Sequence, residues 1–102
     1  MKGLLHLAIL RLVREGETYG SEIHRNLDEK FGLEEQKPVI YGVLRRMEDM
    51  DLLSSKWDTE GGGPARRVYF ITEDGAEYFE EALSGLQKAK EVIELLLEGG
   101  KK

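Results

Sequence analysis

Residues 53–71 read LSSKWDTEGGGPARRVYFI, and within them the chain changes its period. Leu53, Ser55 and Trp57 fall on one side of an extended segment, as do Tyr69 and Ile71. Alternation of this kind predicts two short strands. Gly61-Gly62-Gly63-Pro64 between them reads as a turn or flexible tip. Arg66 and Arg67 follow that tip directly, and Lys56 and Trp57 stand on the opposite strand. A slender tip carrying cations is suited to reach a nucleic-acid backbone or minor groove. Taken alone, the same residues are an ordinary turn with two solvated arginines, so their meaning depends on what flanks them. Trp57, the only tryptophan, is expected to pack the strand pair onto the rest of the chain.

Upstream the apolar period is helical. Leu4, Leu5, Ala8, Ile9, Leu12 and Val13 recur at three- and four-residue steps and predict a helix over about 2–15, closed by Gly16. A second helix is expected from Tyr19 to Lys30, with Thr18 as N-cap, Glu22 in its first turn, Ile23 and Leu27 as its apolar stripe and Gly32 as its stop. After a polar connection, Leu33 to Lys37, Pro38 suits the first turn of a third helix running to about Asp51. Ile40, Val43, Leu44 and Met47 share its inner face, which leaves Pro38, Tyr41, Gly42, Arg45, Arg46 and Asp49 outside. Downstream, Thr72 with Glu73 and Asp74 opens a fourth helix that reaches about Glu98 and frays through Gly99 to Lys102.

The predicted fold is therefore mainly α with a small two-stranded β-wing: a winged helix-turn-helix over 1–75, continued by a C-terminal dimerisation helix over 76–102 in the same compact unit. A helix that reads DNA buries one face and offers the other to the major groove. On the third helix Tyr41 can hydrogen-bond a phosphate, and Arg45 or Arg46 can bind phosphate or guanine. Gly42 in mid-helix costs about 1 kcal/mol against alanine and is explicable where a groove wall approaches the backbone. The other reading of Arg45 and Arg46 is a pair of solvated charges offset by Glu48 or Asp49. The predicted DNA-binding set is Lys37, Pro38, Tyr41, Gly42, Arg45, Arg46, Lys56, Arg66 and Arg67.

Charge fits this division. The net charge of −5 argues against nucleic acid as a whole. Yet Lys37 to Thr72 holds six basic residues against five acidic ones, and the remainder holds nine against fifteen. The fourth helix carries Phe79, Leu86 and Ile93 seven apart, and Ala82, Ala89 and Leu96 likewise. That is a coiled-coil seam, and these six residues are the predicted dimer interface. Two-fold pairing presents two recognition helices to half-sites about one turn of DNA apart, so a pseudo-palindromic operator is expected.

Three stretches resemble the short form of the PadR family of transcriptional regulators. Tyr19-Gly20-Ser21-Glu22-Ile23 resembles the family's Tyr-Gly-Tyr-Glu-Ile, with Ser21 in place of an aromatic. Ile40 to Glu48 is similar to Leu-Tyr-Pro-x-Leu-x-x-Leu-Glu, with Gly42 where proline is common and Pro38 where glycine is more usual. Val68 to Gly75 resembles Tyr-Tyr-x-Leu-Thr-x-x-Gly. The resemblance implies a homodimeric repressor that binds double-stranded DNA, with a small-molecule effector as a further possible partner.

Other classes have less to stand on. The apolar stretch Leu4–Val13 holds His6 and Arg11 and falls far short of the roughly 20 residues a membrane span needs. Arg11 and Arg14 also interrupt any signal-peptide reading, and cysteine is absent, so a cytoplasmic protein without disulfides is expected. His6 is expected to be packed, and Glu22, His24 and Asp28 form only a chance metal spacing. Gly61-Gly62-Gly63 lacks the Gly-Lys-Ser/Thr of a phosphate loop. No catalytic residue, metal or cofactor is expected, and the rival reading is a winged-helix protein-interaction module that does not bind DNA.

Overall fold

The computed structural model describes residues 2–60 and 62–101. Met1, Lys102 and Gly61, the first glycine of the predicted tip, lie outside the described residues. A short turn of 3-10 helix, Lys2–Leu4, leads into α1 (Leu5–Arg14). There follow β1 (Thr18–Tyr19), α2 (Gly20–Phe31), α3 (Lys37–Asp49), β2 (Leu53–Asp58), β3 (Arg66–Ile71) and α4 (Glu73–Glu98).

The helical stripes read from the sequence become one core. Ile9, Leu10 and Val13 of α1, Ile23 and Leu27 of α2, and Ile40, Leu44 and Met47 of α3 are all buried. Leu52, Leu53 and Tyr69 close the core from the sheet side. Local chemistry sets the ends. Gly32 takes a left-handed conformation after α2, with φ 65°, and its amide bonds back to the Asp28 carbonyl at 2.9 Å. Asp51 adopts φ 61° at the exit of α3, which turns the chain sharply into β2. Thr72 caps α4 as expected: its hydroxyl accepts from the Gly75 amide at 2.9 Å and donates to the Asp51 carbonyl at 2.6 Å. A Cβ on Gly75 would stand 2.1 Å from the Leu52 carbonyl oxygen, so only glycine lets α4 start this close to the loop before β2.

The sheet has three strands, not the two predicted. Thr18 and Tyr19 pair antiparallel with Tyr69 and Val68, giving the order β1-β3-β2. Thr18 is thus a strand residue, and Tyr19 precedes the first turn of α2. The wing proper is β2 and β3, in register from Leu53↔Ile71 to Asp58↔Arg66.

Two further expectations are corrected. Trp57 lies on the same strand face as buried Leu53, but β2 has run beyond the core by then, and the indole is 60% exposed. Phe79 is not on an outer seam: it is 2% exposed within its own core, with the Arg14 guanidinium 5.4 Å from its ring. The rest of α4 leaves the body of the fold. Its 26 residues make the molecule 64 Å long and 20–27 Å across, with a radius of gyration of 16.0 Å against about 13 Å for a compact chain of this size. Ile93, Leu96 and Leu97 project from it into solvent. Among the described residues, no helix is long and apolar enough to cross a membrane.

Candidate nucleic-acid interface

The outer face of α3 carries the side chains expected of it. Lys37, Pro38, Tyr41, Arg45, Arg46 and Asp49 are exposed while Ile40, Leu44 and Met47 are buried, and Val43 is half-buried. Among the described residues neither Arg45 nor Arg46 forms an ion pair, so the reading of two offset charges finds no partner here. A guanidinium without a carboxylate partner keeps its five donors available to a ligand.

The expected set does not form one surface. Tyr41, Arg45, Arg66 and Arg67 line a cleft of about 750 Å³ between α3 and the wing, together with Tyr19 and Trp57. Pro38, Gly42 and Arg46 line a separate groove of about 560 Å³ on the other flank of α3, shared with His6 and Tyr78. Lys37 and Lys56 are exposed and line neither. Gly42 is half-buried, and a Cβ added to it would meet nothing within 4 Å, so no neighbour inside the fold demands a glycine there.

Tyr41 is held by a second glycine. A Cβ on Gly20 would lie 2.7 Å from Cε1 of the Tyr41 ring, so the Tyr-Gly step at the start of α2 makes room for the aromatic of α3. The wing base is similarly tied. The Tyr19 hydroxyl donates a hydrogen bond to Asp58 on β2, and the Arg66 guanidinium lies 3.7 Å from the centre of the Tyr19 ring. The Tyr19 bond, the Glu60 amide and the nearby Arg66 and Lys56 charges hold the Asp58 carboxyl below the usual range despite some desolvation. On the other face of the ribbon, Arg67 Nε donates to Ser55 Oγ at 2.9 Å, and Ser55 Oγ donates to Glu48 Oε2 at 2.8 Å. Burial, reinforced by Glu48, pushes the Tyr69 phenol up, so it stays a neutral hydroxyl.

Sequence reasoning missed Tyr19, Ser55 and Asp58. The helical reading of α2 takes in Tyr19, and a two-residue strand has no period to detect. Asp58 opposes Arg66 only through the hairpin register, which the seven residues between the strands leave open. The histidines have structural partners. His24 Nε2 donates to the Glu35 carbonyl at 2.7 Å and pins the connection into α3, while His6 Nε2 lies 2.9 Å from the Tyr78 hydroxyl. Among the described residues no group of three His, Asp or Glu is placed to hold a metal ion.

Three packed helices, a small antiparallel sheet whose last two strands form a wing, and a long C-terminal helix define a winged helix-turn-helix protein. The sequence pattern of the transcriptional regulator PadR-like family matches residues 9–81, and the chain belongs to that family. A PadR-like transcriptional regulator from Bacillus cereus superposes with a TM-score of 0.83 at 30% identity, over 94% of this chain and 93% of that one. A PadR family regulator from Eggerthella lenta gives 0.84 at 29% identity, over 95% and 84%. Bacillus subtilis PadR, solved in complex with operator DNA, gives 0.72 at 26% identity, over 78% of this chain and 46% of that protein.

Proposed function

We propose that this chain is a sequence-specific DNA-binding transcriptional regulator, a repressor rather than an enzyme, that binds a pseudo-palindromic operator as a homodimer. The observation that carries the reading is the outer face of α3, where Arg45 and Arg46 are exposed and, among the described residues, free of ion pairs beside a cationic wing. In this reading Arg45 and Arg46, with Tyr41 and the open backbone at Gly42, read the groove. Lys37 and Pro38 set the entry of the helix, and Lys56 and Arg66 approach the phosphate backbone. Binding DNA places the protein with it, in the cytoplasm. The seam lies on the outer part of α4, through Ala82, Leu86, Ala89, Ile93 and Leu96, while Phe79 is buried within its own subunit. An apolar groove of about 370 Å³ between α1 and α4, lined by Leu4, Leu7, Phe31, Phe79, Leu83 and Leu86, offers a receiving surface for a partner's leucines.

The test is selection of bound duplexes from a random-sequence pool, followed by salt titration on the recovered duplex. Affinity is expected to fall steeply with salt, Lys56→Ala/Arg66→Ala to reduce the logarithmic slope by about 0.9 for each phosphate no longer neutralised, and Arg45→Ala/Arg46→Ala to cost about 1–3 kcal/mol for each lost base contact and relax the sequence preference, with the fold intact. Recovery of no common sequence, together with salt-insensitive binding, favours the protein-interaction module instead.

A further inference from the structure

The two wing arginines are adjacent, yet their surroundings differ. Arg66 is exposed and stacked on Tyr19. Arg67 lies on the opposite side of the ribbon and is half-buried, with its Nε and Nη2 turned toward Ser55 and Glu48. Nε donates to Ser55 Oγ at 2.9 Å, Nη2 stands 3.9 Å from Glu48 Oε2, and the guanidinium lies 5.1 Å from the centre of the Trp57 ring. Ser55 Oγ closes the triangle by donating to the same Glu48 oxygen at 2.8 Å. One residue of β3, one of β2 and one near the end of α3 are thereby joined. Glu48 and Arg67 line the cleft between α3 and the wing, beside Tyr41 and Arg45, which the proposed function places on DNA.

We infer that Arg67 is a positioning residue that does not bind phosphate: with Ser55 and Glu48 it forms a strut that fixes the angle between the recognition helix α3 and the wing. The inference rests on the DNA-binding reading above. A phosphate that drew the Arg67 guanidinium outward would pull it from Ser55 and Glu48. Glu48 would then face the polyanion with its charge uncompensated, a cost that offsets the new bond to phosphate. A lysine is a poor replacement for Arg67, because it lacks the Nε that bonds Ser55 while Nη2 stands beside the Glu48 carboxylate and the guanidinium lies near the indole. Glu48 is likewise more than a stray acid on a DNA-binding helix, since it is the acceptor that both Ser55 and Arg67 address.

A strut and a direct bond to phosphate predict opposite signs. The probe is the duplex recovered by the wild-type chain, with a scrambled duplex of equal length as control. If Glu48 were only a charge near DNA, Glu48→Ala would tighten binding. The strut requires Glu48→Ala to weaken it by about three- to tenfold, the scale of one net hydrogen-bonded interaction, and to weaken the control duplex less. Arg67→Ala is expected to do the same with the salt slope unchanged, and the double variant to cost no more than either single one. Arg67→Lys, which keeps the charge and is the milder change should the alanine variant unfold, is expected not to restore binding. Trp57 supplies a readout without DNA. As the sole tryptophan it reports Arg67, so Glu48→Ala should shift its emission although Glu48 makes no stacking interaction with the ring. Tighter binding by Glu48→Ala, a slope reduced by about 0.9 in Arg67→Ala, or rescue by lysine overturns the strut while leaving the proposed function standing. A wild-type chain that recovers no duplex overturns the function itself, and the strut's role with it.

Discussion

The first turns of α4 and its last three turns belong to one seven-residue apolar repeat and meet opposite surroundings. Near the start, Gly75 touches the Leu52 carbonyl, Phe79 is sealed against α1, and Arg14 on α1 pairs with Glu80. Near the end, Leu96 is 73% and Leu97 83% exposed. Nothing in the helical pattern separates the two halves, because the seven-residue spacing runs from Phe79 through Leu86 to Ile93 without a break. The difference lies in what stands opposite. A winged domain of three short helices and six-residue strands can cover only about the first three turns of a helix roughly 39 Å long. Burial is therefore a property of the partner surface, and a repeat in sequence states only which residues face the same way. Monomeric proteins rarely leave a contiguous apolar stripe such as Val92 to Leu97 uncovered, which supports the dimer proposed above.

The comparison can be broken at either end. The largest effect is expected at Phe79. Phe79→Ala should lower the unfolding free energy by about 3–5 kcal/mol in denaturant titration, whereas Leu97→Ala should change subunit stability by less than about 0.5 kcal/mol. Equal losses would mean that the far half is as well packed as the near half. Gly75→Ala comes next, at about 1–3 kcal/mol and only with a shift of α4 away from Leu52, since the added carbon overlaps a backbone oxygen that no rotamer change can move. A thermally neutral Gly75→Ala would show the junction to be loose. The third sharpens the far half alone. Ile93→Glu should leave the subunit's own stability within about 0.5 kcal/mol yet convert the protein to monomers in sedimentation, because the charge falls where the partner helix is proposed to pack. A dimer that survives this change places the seam elsewhere.

Much of the fold is legible because it rests on local rules. The stripes of α1, α2 and α3, the left-handed Gly32, the Thr72 cap and the end of α4 at Glu98 each depend on a few neighbouring residues, and each is readable from them. The division of α3 into buried Ile40, Leu44 and Met47 and exposed Tyr41, Arg45 and Arg46 follows from helical geometry alone. What escapes has a common cause. β1 exists only because β3 lies beside it, and Trp57 is exposed only because β2 outruns the core. Arg67 turns inward only because Ser55 and Glu48 meet it there.

The sequence alone fixes the order of the four helices and the hairpin, the buried faces of α1, α2 and α3 and the cationic character of the hairpin, since period, caps and turn residues act within a turn or two of chain. Only the tertiary structure decided which charges remain free and which are engaged inside the protein. Arg45 and Arg67 look alike in the sequence, but one faces open solvent on α3 while the other is held across three elements, and no local rule reaches across strands whose register the loop leaves unset.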